Sequence, residues 1–322
     1  MSKKNFTPVF ESAGLIVTES AKSAMEITNT VIYDGISYPE IRAYSPNGKI
    51  NTLSVKIFLH ENGLLSANDL MDPKCDFQPI AAGLLKAFQF GILSLNATKQ
   101  KGIKNNTPVR MSTSLGGKMK NVWAFSTLSL CNKMCLARMK NKDLVCAHCY
   151  VKKSLYIWAV LNYVQNSFIL MNYELPAEWI PVIIEKNVEK HPYIRIESFG
   201  DLANRLQAEN YLRIVYANSL FKFGAWTKNP AYMAHAIDRY GKPENLSTVF
   251  SMSRVDYMDS SDKYDAYFDH KFIVVRDQSL KDSYLERDNF YPCQCGPESC
   301  RNCHKCYMAS KTVTTAVELL RK

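Results

Sequence analysis

Short apolar runs alternate with longer segments of mixed polarity after about residue 120. The runs are four to seven residues long and predict strands at Val122–Thr127, Tyr193–Phe199, Phe221–Thr227, Thr248–Ser253 and Phe272–Val275. The longer segments predict amphipathic helices at Lys152–Met171, Ala177–Lys190, Leu202–Asn218 and Ala231–Tyr240. Strands spaced by helices of this length indicate an α/β fold with a parallel sheet, either open or rolled into a partial or full (β/α) barrel.

The first hundred residues have a less regular pattern. Leu53–Leu59 (LSVKIFL) predicts a strand, and Ile80–Leu95 predicts a buried amphipathic helix. This helix spans 16 residues and contains Lys86, which makes it too short and too polar to cross a membrane. We therefore expect a mixed α+β region without an evident role at the N-terminus.

Three regions follow from this pattern. The α+β region covers residues 1–105, the barrel-like region covers 106–285, and a cysteine-rich segment covers 286–322. A final helix is predicted at Thr312–Leu320.

The positive charge of the chain is concentrated in one segment. The chain carries +10, while Lys99–Lys153 has 12 basic residues against one acid, Asp143, and so accounts for the whole excess. Such a field attracts an anionic partner, a nucleotide or a nucleic acid, although a solvated lysine-rich loop has the same composition. The N-terminus has no apolar run typical of a signal peptide, which predicts a cytoplasmic protein in the host cell without membrane attachment.

Ten cysteines in a chain without an export signal favour metal ligands or catalytic thiols over disulfides. The first cluster contains Cys131, Cys135, Cys146 and Cys149, spaced by three, ten and two residues. The Cys146-x-x-Cys149 pair allows both sulfurs to face one metal. A structural Zn²⁺ site explains the four thiols, and so does a [4Fe–4S] cluster held by three of them with one iron open.

The second cluster holds five cysteines within 14 residues near the C-terminus. Four ligands complete either a tetrahedral zinc site or a [4Fe–4S] cluster. We expect these to be Cys295, Cys300, Cys303 and Cys306. Cys293 is left as the alternative ligand, because only one residue separates it from Cys295 and the two are poorly spaced to bind together. A purely structural role for this segment remains open.

Polar residues follow three of the predicted strands. The first strand end contains Glu197, Ser198, Gly200 and Asp201. An acid at the end of a sheet strand can hold an amino group or act as a catalytic acid or base, although Asp201 could equally cap a helix. Thr227 and Ser253 occupy equivalent positions at the ends of the next two strands.

The chain resembles the phage and plasmid "gene product eighty-eight" family in four elements. They are Cys146-x-x-Cys149-Tyr150, the strand end Arg195–Asp201, Trp226-Thr227-Lys228, and the cysteines from Cys293 to Cys306. The resemblance covers about residues 110 to 310, and the family implies no function.

The order of these elements also resembles that of the radical S-adenosylmethionine superfamily. Gly200 follows Cys149 by 51 residues, Thr227 follows Gly200 by 27, and Ser253 follows Thr227 by 26. This resemblance implies a radical-SAM type barrel with a [4Fe–4S] cluster on Cys135, Cys146 and Cys149, Cys131 being an alternative ligand.

By the same resemblance, the cofactor S-adenosyl-L-methionine would be bound at the carboxyl ends of the strands. The residues implied are Glu197, Ser198, Gly200, Asp201, Thr227 and Ser253, with Glu197 and Asp201 as candidate catalytic groups. The C-terminal cysteines would hold an auxiliary cluster.

The leading hypothesis is therefore a radical SAM-like iron–sulfur enzyme. An electron donor would reduce the cluster, and cleavage of S-adenosylmethionine would give a 5′-deoxyadenosyl radical that acts on an anionic substrate. One alternative is a non-catalytic nucleic-acid-binding protein stapled by zinc. Another is a zinc-bearing base-modifying barrel enzyme in which Asp201 is the acid.

Overall fold

Two compact units divide the chain in this computed structural model. The first comprises residues 1–96 and 152–168, and the second comprises residues 97–151 and 169–322. The structure describes residues 8–12, 15–18, 24–33, 36–44, 52–72, 76–93, 95, 97, 99–113, 117–151, 155–184, 192–258, 262–293 and 299–320. None of the helices in these ranges is long and apolar enough to cross a membrane.

The first unit combines two antiparallel hairpins with helices. Its strands are β1 (Pro8–Ser12), β2 (Leu15–Thr18), β3 (Ala24–Tyr33) and β4 (Ile36–Tyr44), paired β1–β2 and β3–β4. Its helices are α1 (Thr52–Glu61), α2 (Ala67–Met71), α3 (Phe77–Gln89) and most of α5 (Ile157–Asn172). The mixed α+β character predicted for this region is thus confirmed.

The strand predicted at Leu53–Leu59 is wrong, because this segment belongs to α1. Its buried residues Val55, Phe58 and Leu59 follow helical spacing and form one apolar stripe. The buried helix predicted at Ile80–Leu95 is confirmed as α3, which begins after its N-cap residue Asp76.

The second unit is built around an eight-stranded sheet. Its strands are β5 (Met111–Thr113), β6 (Trp123–Phe125), β7 (Tyr193–Ile196), β8 (Lys222–Thr227), β9 (Leu246–Ser251), β10 (His270–Val275), β11 (Phe290–Pro292) and β12 (Thr314–Leu319). All five strands predicted from the apolar runs are present, at slightly different bounds.

The strands lie in the order β11-β12-β10-β9-β8-β7-β6-β5. All neighbours are parallel except β5, which is antiparallel to β6. From β6 to β10 the order in the sheet follows the order in the chain, as expected for successive βαβ units. The sheet is open, with β5 and β11 as its edge strands, so the full barrel is wrong and the α/β class with a mostly parallel sheet is confirmed.

The other helices of the second unit lie between the strands. They are α4 (Lys133–Arg138), α6 (Arg205–Tyr216), α7 (Pro230–Tyr240), α8 (Gln278–Leu285) and α9 (Ser299–Cys303), with 3₁₀ turns at Gly117–Met119, Ser129–Cys131, Val145–His148, Ala177–Trp179, Asp262–Tyr267 and Lys305–Tyr307. The helices predicted at Lys152–Met171, Leu202–Asn218 and Ala231–Tyr240 are confirmed as α5, α6 and α7.

Two further predicted helices differ from the structure. At Ala177–Lys190 the structure has only the 3₁₀ turn at its start, and residues 185–190 lie outside the described ranges. The C-terminal helix predicted at Thr312–Leu320 is wrong, because this segment forms β12 between β10 and β11. Its β-branched residues suit a strand buried between two neighbours, and Val317 is fully buried.

The two faces of the sheet differ in chemistry. Ile194, Ile196 and Phe223 point to an apolar face, while the alternate residues Arg195 and Gly224, which are paired in register, point to the other. On this second face, which we call the polar face, further strands contribute Trp226, Ser247, His270, Tyr291 and Glu318. The cysteine-rich segment packs against the polar face.

Candidate site at the carboxyl edge of the sheet

The loop that follows β6 carries the first cysteine cluster and lies across the carboxyl ends of β7, β8 and β9. Four hydrogen bonds attach it there: Ser129 N to Phe199 O (3.0 Å), Asn132 Nδ2 to Asp201 O (3.0 Å), Arg138 Nη2 to Asn229 Oδ1 (2.8 Å) and Val145 N to Ser253 O (2.9 Å). Chemistry in parallel α/β sheets is found at this edge, because the loops there converge from several strands.

Asp201 is the centre of the attachment. Its carboxylate accepts hydrogen bonds from Thr227 Oγ1 (2.6 Å), Lys228 N (3.1 Å) and Leu202 N (2.8 Å), and it lies 3.8 Å from Arg138 Nη1. The side chain is almost fully buried. Asp201 therefore joins the end of β7 to the end of β8 and to the cysteine loop.

Three thiols of the loop lie within electrostatic range of the Lys228 side chain. Burial lowers the pKa of Lys228, but Asp201 and the thiols of Cys146, Cys135 and Cys149 raise it more, so that the pKa is above its usual value. The pKa of the Cys135 thiol is raised by burial and by Asp201, and Lys228 opposes this rise. Within the described residues, the Lys228 ammonium forms no hydrogen bond or ion pair, so it remains positioned to balance negative charge on the thiols.

The other residues predicted for this edge also lie close to the loop. Cys131 ends the 3₁₀ turn that leads into α4 and is half-buried. Ser253 is half-buried and contributes its carbonyl oxygen to the attachment of the loop. The Thr227 hydroxyl is occupied by Asp201 and accepts from Asn229 N at 2.9 Å.

The carboxylate of Glu197 lies in a closed set of hydrogen bonds. It accepts from Thr127 Oγ1 (2.8 Å), Thr127 N (3.2 Å), Gln207 Nε2 (2.6 Å) and Tyr211 Oη (2.6 Å). Burial raises its pKa to about 7, against the hydrogen bonds from Tyr211 and Thr127. Its backbone has a positive φ of 59°. Glu197 is thus held between the ends of β6 and β7 and helix α6.

Gly200 and Ser198 form the rest of this turn. A Cβ at Gly200 would overlap Glu197 Oε2 and Thr127 Oγ1 and would lie 2.8 Å from the Thr127 carbonyl oxygen, so only glycine fits. Ser198 Oγ is 2.8 Å from Ser126 Oγ, and the Ser198 carbonyl accepts a hydrogen bond from the Tyr150 hydroxyl. The conformation of this strand end therefore depends on close packing around Glu197.

The second group of thiols lies against the polar face. Burial raises the pKa of Cys293 to about 12, opposed by Lys118, while Glu318, Cys300 and Cys306 add to the rise. Cys303 acts in the same direction on Cys300 and Cys306. Each of the thiols of Cys293, Cys300, Cys303 and Cys306 thus lies within electrostatic range of at least two of the others. Cys295 lies outside the described residues, and Cys293 takes part where the sequence favoured Cys295.

Lys118 supplies positive charge to this second group. Its ammonium is paired with Glu318 Oε2 at 2.5 Å, and it lies 3.5 Å from Cys293 Sγ. Tyr291 Oη is 3.2 Å from Cys306 Sγ. The group therefore has a cation on one side and a phenol on the other.

The pKa of Tyr150 is affected by charged residues that lie near each of the two groups of thiols. The pKa of Tyr150, whose hydroxyl is buried although 54% of the residue is exposed, is raised by burial and by Cys149, and is lowered by Arg195, Lys118 and Lys228. Arg195 also lowers the pKa values of Cys300 and Cys306. Tyr150 is thus within electrostatic range of Cys149 and Lys228 at the first group and of the cations Arg195 and Lys118, which act on the second group.

Neither group closes around a single point. Across the described part of the chain, no set of three or more His, Cys, Asp or Glu side chains is arranged to hold a metal ion.

Comparison with known proteins bears on identity rather than on chemistry. The profile of the family described as gene product 88 matches residues 93–313, which is more than half of the chain. The chain belongs to the gene product 88 family. No curated protein and no solved structure matches it, so these comparisons give no support to the radical SAM resemblance. The family match spans both groups of cysteines and all three strand ends.

Sequence reasoning missed the roles of two lysines. Lys228 directly follows Thr227, so its position at a strand end was a usable signal. Lys118 had no such signal, because its neighbours Glu318 and Cys293 are far away in the chain.

Proposed function

We propose that this protein is a radical SAM-like iron–sulfur enzyme that acts on an anionic substrate. The observation that supports it best is the cysteine loop, which lies across three strand ends with the thiols of Cys135, Cys146 and Cys149 within electrostatic range of Lys228. The strand order from β6 to β10, which follows the chain, is also compatible with a partial barrel.

The donor set, at least four cysteines in each cluster of the sequence, suits a [4Fe–4S] cluster as well as a zinc ion. Cys135, Cys146 and Cys149 would hold the first cluster, and Cys293, Cys300, Cys303 and Cys306 would hold an auxiliary one.

A bound [4Fe–4S] cluster with an open iron would supply the electron for reductive cleavage of S-adenosylmethionine. The chain's own residues would prepare the place for it. Lys228 would offset thiolate charge, and Asp201 would fix the Lys228 backbone through its hydrogen bond. Cys135 and Cys146 are nearly inaccessible to solvent, which protects them from oxidation.

Glu197 and Asp201 act as positioning residues in this proposal. The Glu197 carboxylate accepts hydrogen bonds from Thr127, Gln207 and Tyr211. The Asp201 carboxylate accepts them mainly from residues at the ends of β7 and β8. This also disfavours the zinc-bearing base-modifying enzyme, because Asp201 would have to release these contacts to act as an acid.

A zinc-stapled nucleic-acid-binding protein is the second candidate. Lys133, Lys140 and Lys142 are exposed on the cysteine loop, where they could contact phosphates. Under this hypothesis both groups of thiols would close around zinc, and binding would weaken steeply with salt.

Metal analysis and a cleavage assay would separate the two candidates. Protein purified without oxygen would be analysed for iron, labile sulfide and zinc, and assayed for 5′-deoxyadenosine formation from S-adenosylmethionine. We expect Cys146→Ala to lose the first cluster and the cleavage, Cys303→Ala to lose only iron of the second, and Cys75→Ala, outside both cysteine clusters, to match the wild type. Zinc without iron, even after anaerobic reconstitution, would reject the proposal.

A further inference from the structure

Arg195 is a cation without an acidic partner on the polar face of the sheet. Its guanidinium lies 3.2 Å from the ring centroid of Trp226, and its Nε donates a hydrogen bond of 3.4 Å to the Glu197 carbonyl. No carboxylate of the described residues forms an ion pair with it. The two acids of this region are engaged elsewhere, Glu318 by Lys118 and the Glu197 side chain by its own hydrogen bonds.

Beside Arg195 lies a second unsatisfied group. Tyr307 is 4% exposed, and among the described residues its buried hydroxyl has no hydrogen-bond partner of good geometry. Burial raises the pKa of this hydroxyl, and the neighbouring Arg195 side chain lowers it. Its ring packs edge-on against Trp226, with the ring centroids 5.5 Å apart, and tilted against Tyr193 at 5.4 Å. Leaving a buried hydroxyl unpaired is costly, so such a group commonly marks the place of a ligand.

These two groups have complementary chemistry. A guanidinium that stacks on an indole keeps its edge free for two parallel hydrogen bonds to an oxyanion. The Tyr307 hydroxyl can donate a third. A Cβ at Gly224 would lie 2.7 Å from Trp226 and 2.8 Å from Tyr307, so the absence of a side chain there allows these rings to pack closely.

We propose that Arg195 and Tyr307, with Trp226 as the support for the guanidinium, form a binding site for a carboxylate or phosphate group. The claim that this site holds the anionic group of the substrate rests on the proposed function. The claim that it binds an anion depends only on the geometry of the polar face. The site is distinct from the first group of thiols, because its members lie within the sheet and the C-terminal segment. It borders the second group, since Arg195 acts on Cys300 and Cys306 and Tyr307 directly follows Cys306.

Equilibrium dialysis of the full chain would test the site with two labelled probes, inorganic phosphate and succinate, at constant ionic strength. We expect one of the two to saturate a single site per chain, which also tells phosphate from carboxylate. Arg195→Gln should weaken binding at least about tenfold and Tyr307→Phe about fivefold, as expected for hydrogen bonds to a charged ligand.

The control is Arg213→Gln. Arg213 also lies over an aromatic ring, that of Tyr240, but it is paired with Glu174, so its loss should leave binding unchanged. If Arg195→Gln does not fold, Arg195→Lys keeps the charge without the planar fork and should still bind at least about fivefold more weakly.

The outcomes separate this inference from the proposed function. If neither probe saturates a site, or if the Arg195 variants bind as tightly as the wild type, the inference is overturned whatever the iron content. Saturable, Arg195-dependent binding in a protein that takes up no iron would support the anion site and reject the radical enzyme.

Discussion

Replacing Gly200 by alanine should destabilise the second unit far more than a usual Gly→Ala change. The added Cβ would overlap Glu197 Oε2 and Thr127 Oγ1, and the Thr127 carbonyl at 2.8 Å is backbone that cannot rotate away. Overpacking costs about 1–3 kcal/mol. Displacing the Glu197 carboxylate would also lose at least one hydrogen bond to a charged group, worth about 1.5–3 kcal/mol.

We therefore expect Gly200→Ala to lower the free energy of unfolding by about 3–5 kcal/mol. Urea denaturation followed by tryptophan fluorescence would measure it, since Trp123, Trp179 and Trp226 lie in this unit. For a slope of about 3 kcal/mol/M the midpoint should fall by about 1 M or more.

Two further variants test the reason for this loss. Gly117 has a positive φ of 63°, and a Cβ added there would have no atom within 4 Å. Gly117→Ala should therefore lower the free energy of unfolding by only about 1–2 kcal/mol, through backbone strain. In a Glu197→Ala background, Gly200→Ala should cost less than in the wild type, because one overlapping atom is gone. The reasoning is refuted if Gly200→Ala costs no more than Gly117→Ala, or the same in both backgrounds.

Two other predictions concern the polar face. Gly224→Ala should lower the free energy of unfolding by about 1–3 kcal/mol and speed the alkylation of Cys306, because its Cβ would lie 3.0 Å from the Cys306 carbonyl and displace this segment; unchanged alkylation would contradict it. Burial lowers the pKa of His270 below 6.5, so the unfolded chain binds more protons and stability should fall as the pH drops from about 6.5 through the lowered pKa. The urea midpoint of His270→Gln should depend less on pH over this range, and equal slopes would show that His270 is not the titrating group.

The strands of the sheet could be predicted because they are short, apolar and separated by helix-length segments. Leu53–Leu59 has the same composition, but its burial follows helical spacing, which a run of seven residues cannot distinguish from a strand. The prediction for Thr312–Leu320 is wrong in the opposite sense, because a predicted helix is a strand. Pairing with β10 and β11 in the tertiary structure overrides a local pattern that also fits a terminal helix.

The sequence predicts that Glu197 and Asp201 follow a strand of the sheet, as they do, but it does not predict where the Glu197 side chain points. Strand alternation places Glu197 on the same face as Arg195, but the positive φ at Glu197 turns its side chain towards Gln207 and Tyr211 of α6. The sequence did not predict a separate role for the Arg195 cation. Glu197, two residues away, is the nearest acid in the sequence, but its carboxylate is engaged by Thr127, Gln207 and Tyr211.

The basic segment Lys99–Lys153 divides into two kinds of charge. Lys118 and Arg138 are half-buried and lie beside Glu318 and Asp201, so they offset buried acids and neighbouring thiols. The described lysines that face solvent are Lys99, Lys101, Lys104, Lys133, Lys140 and Lys142. Only such exposed charges release counterions when a polyanion binds. The net charge of the segment therefore overstates its capacity to bind a nucleic acid, because part of that charge already offsets acids and thiols of the protein.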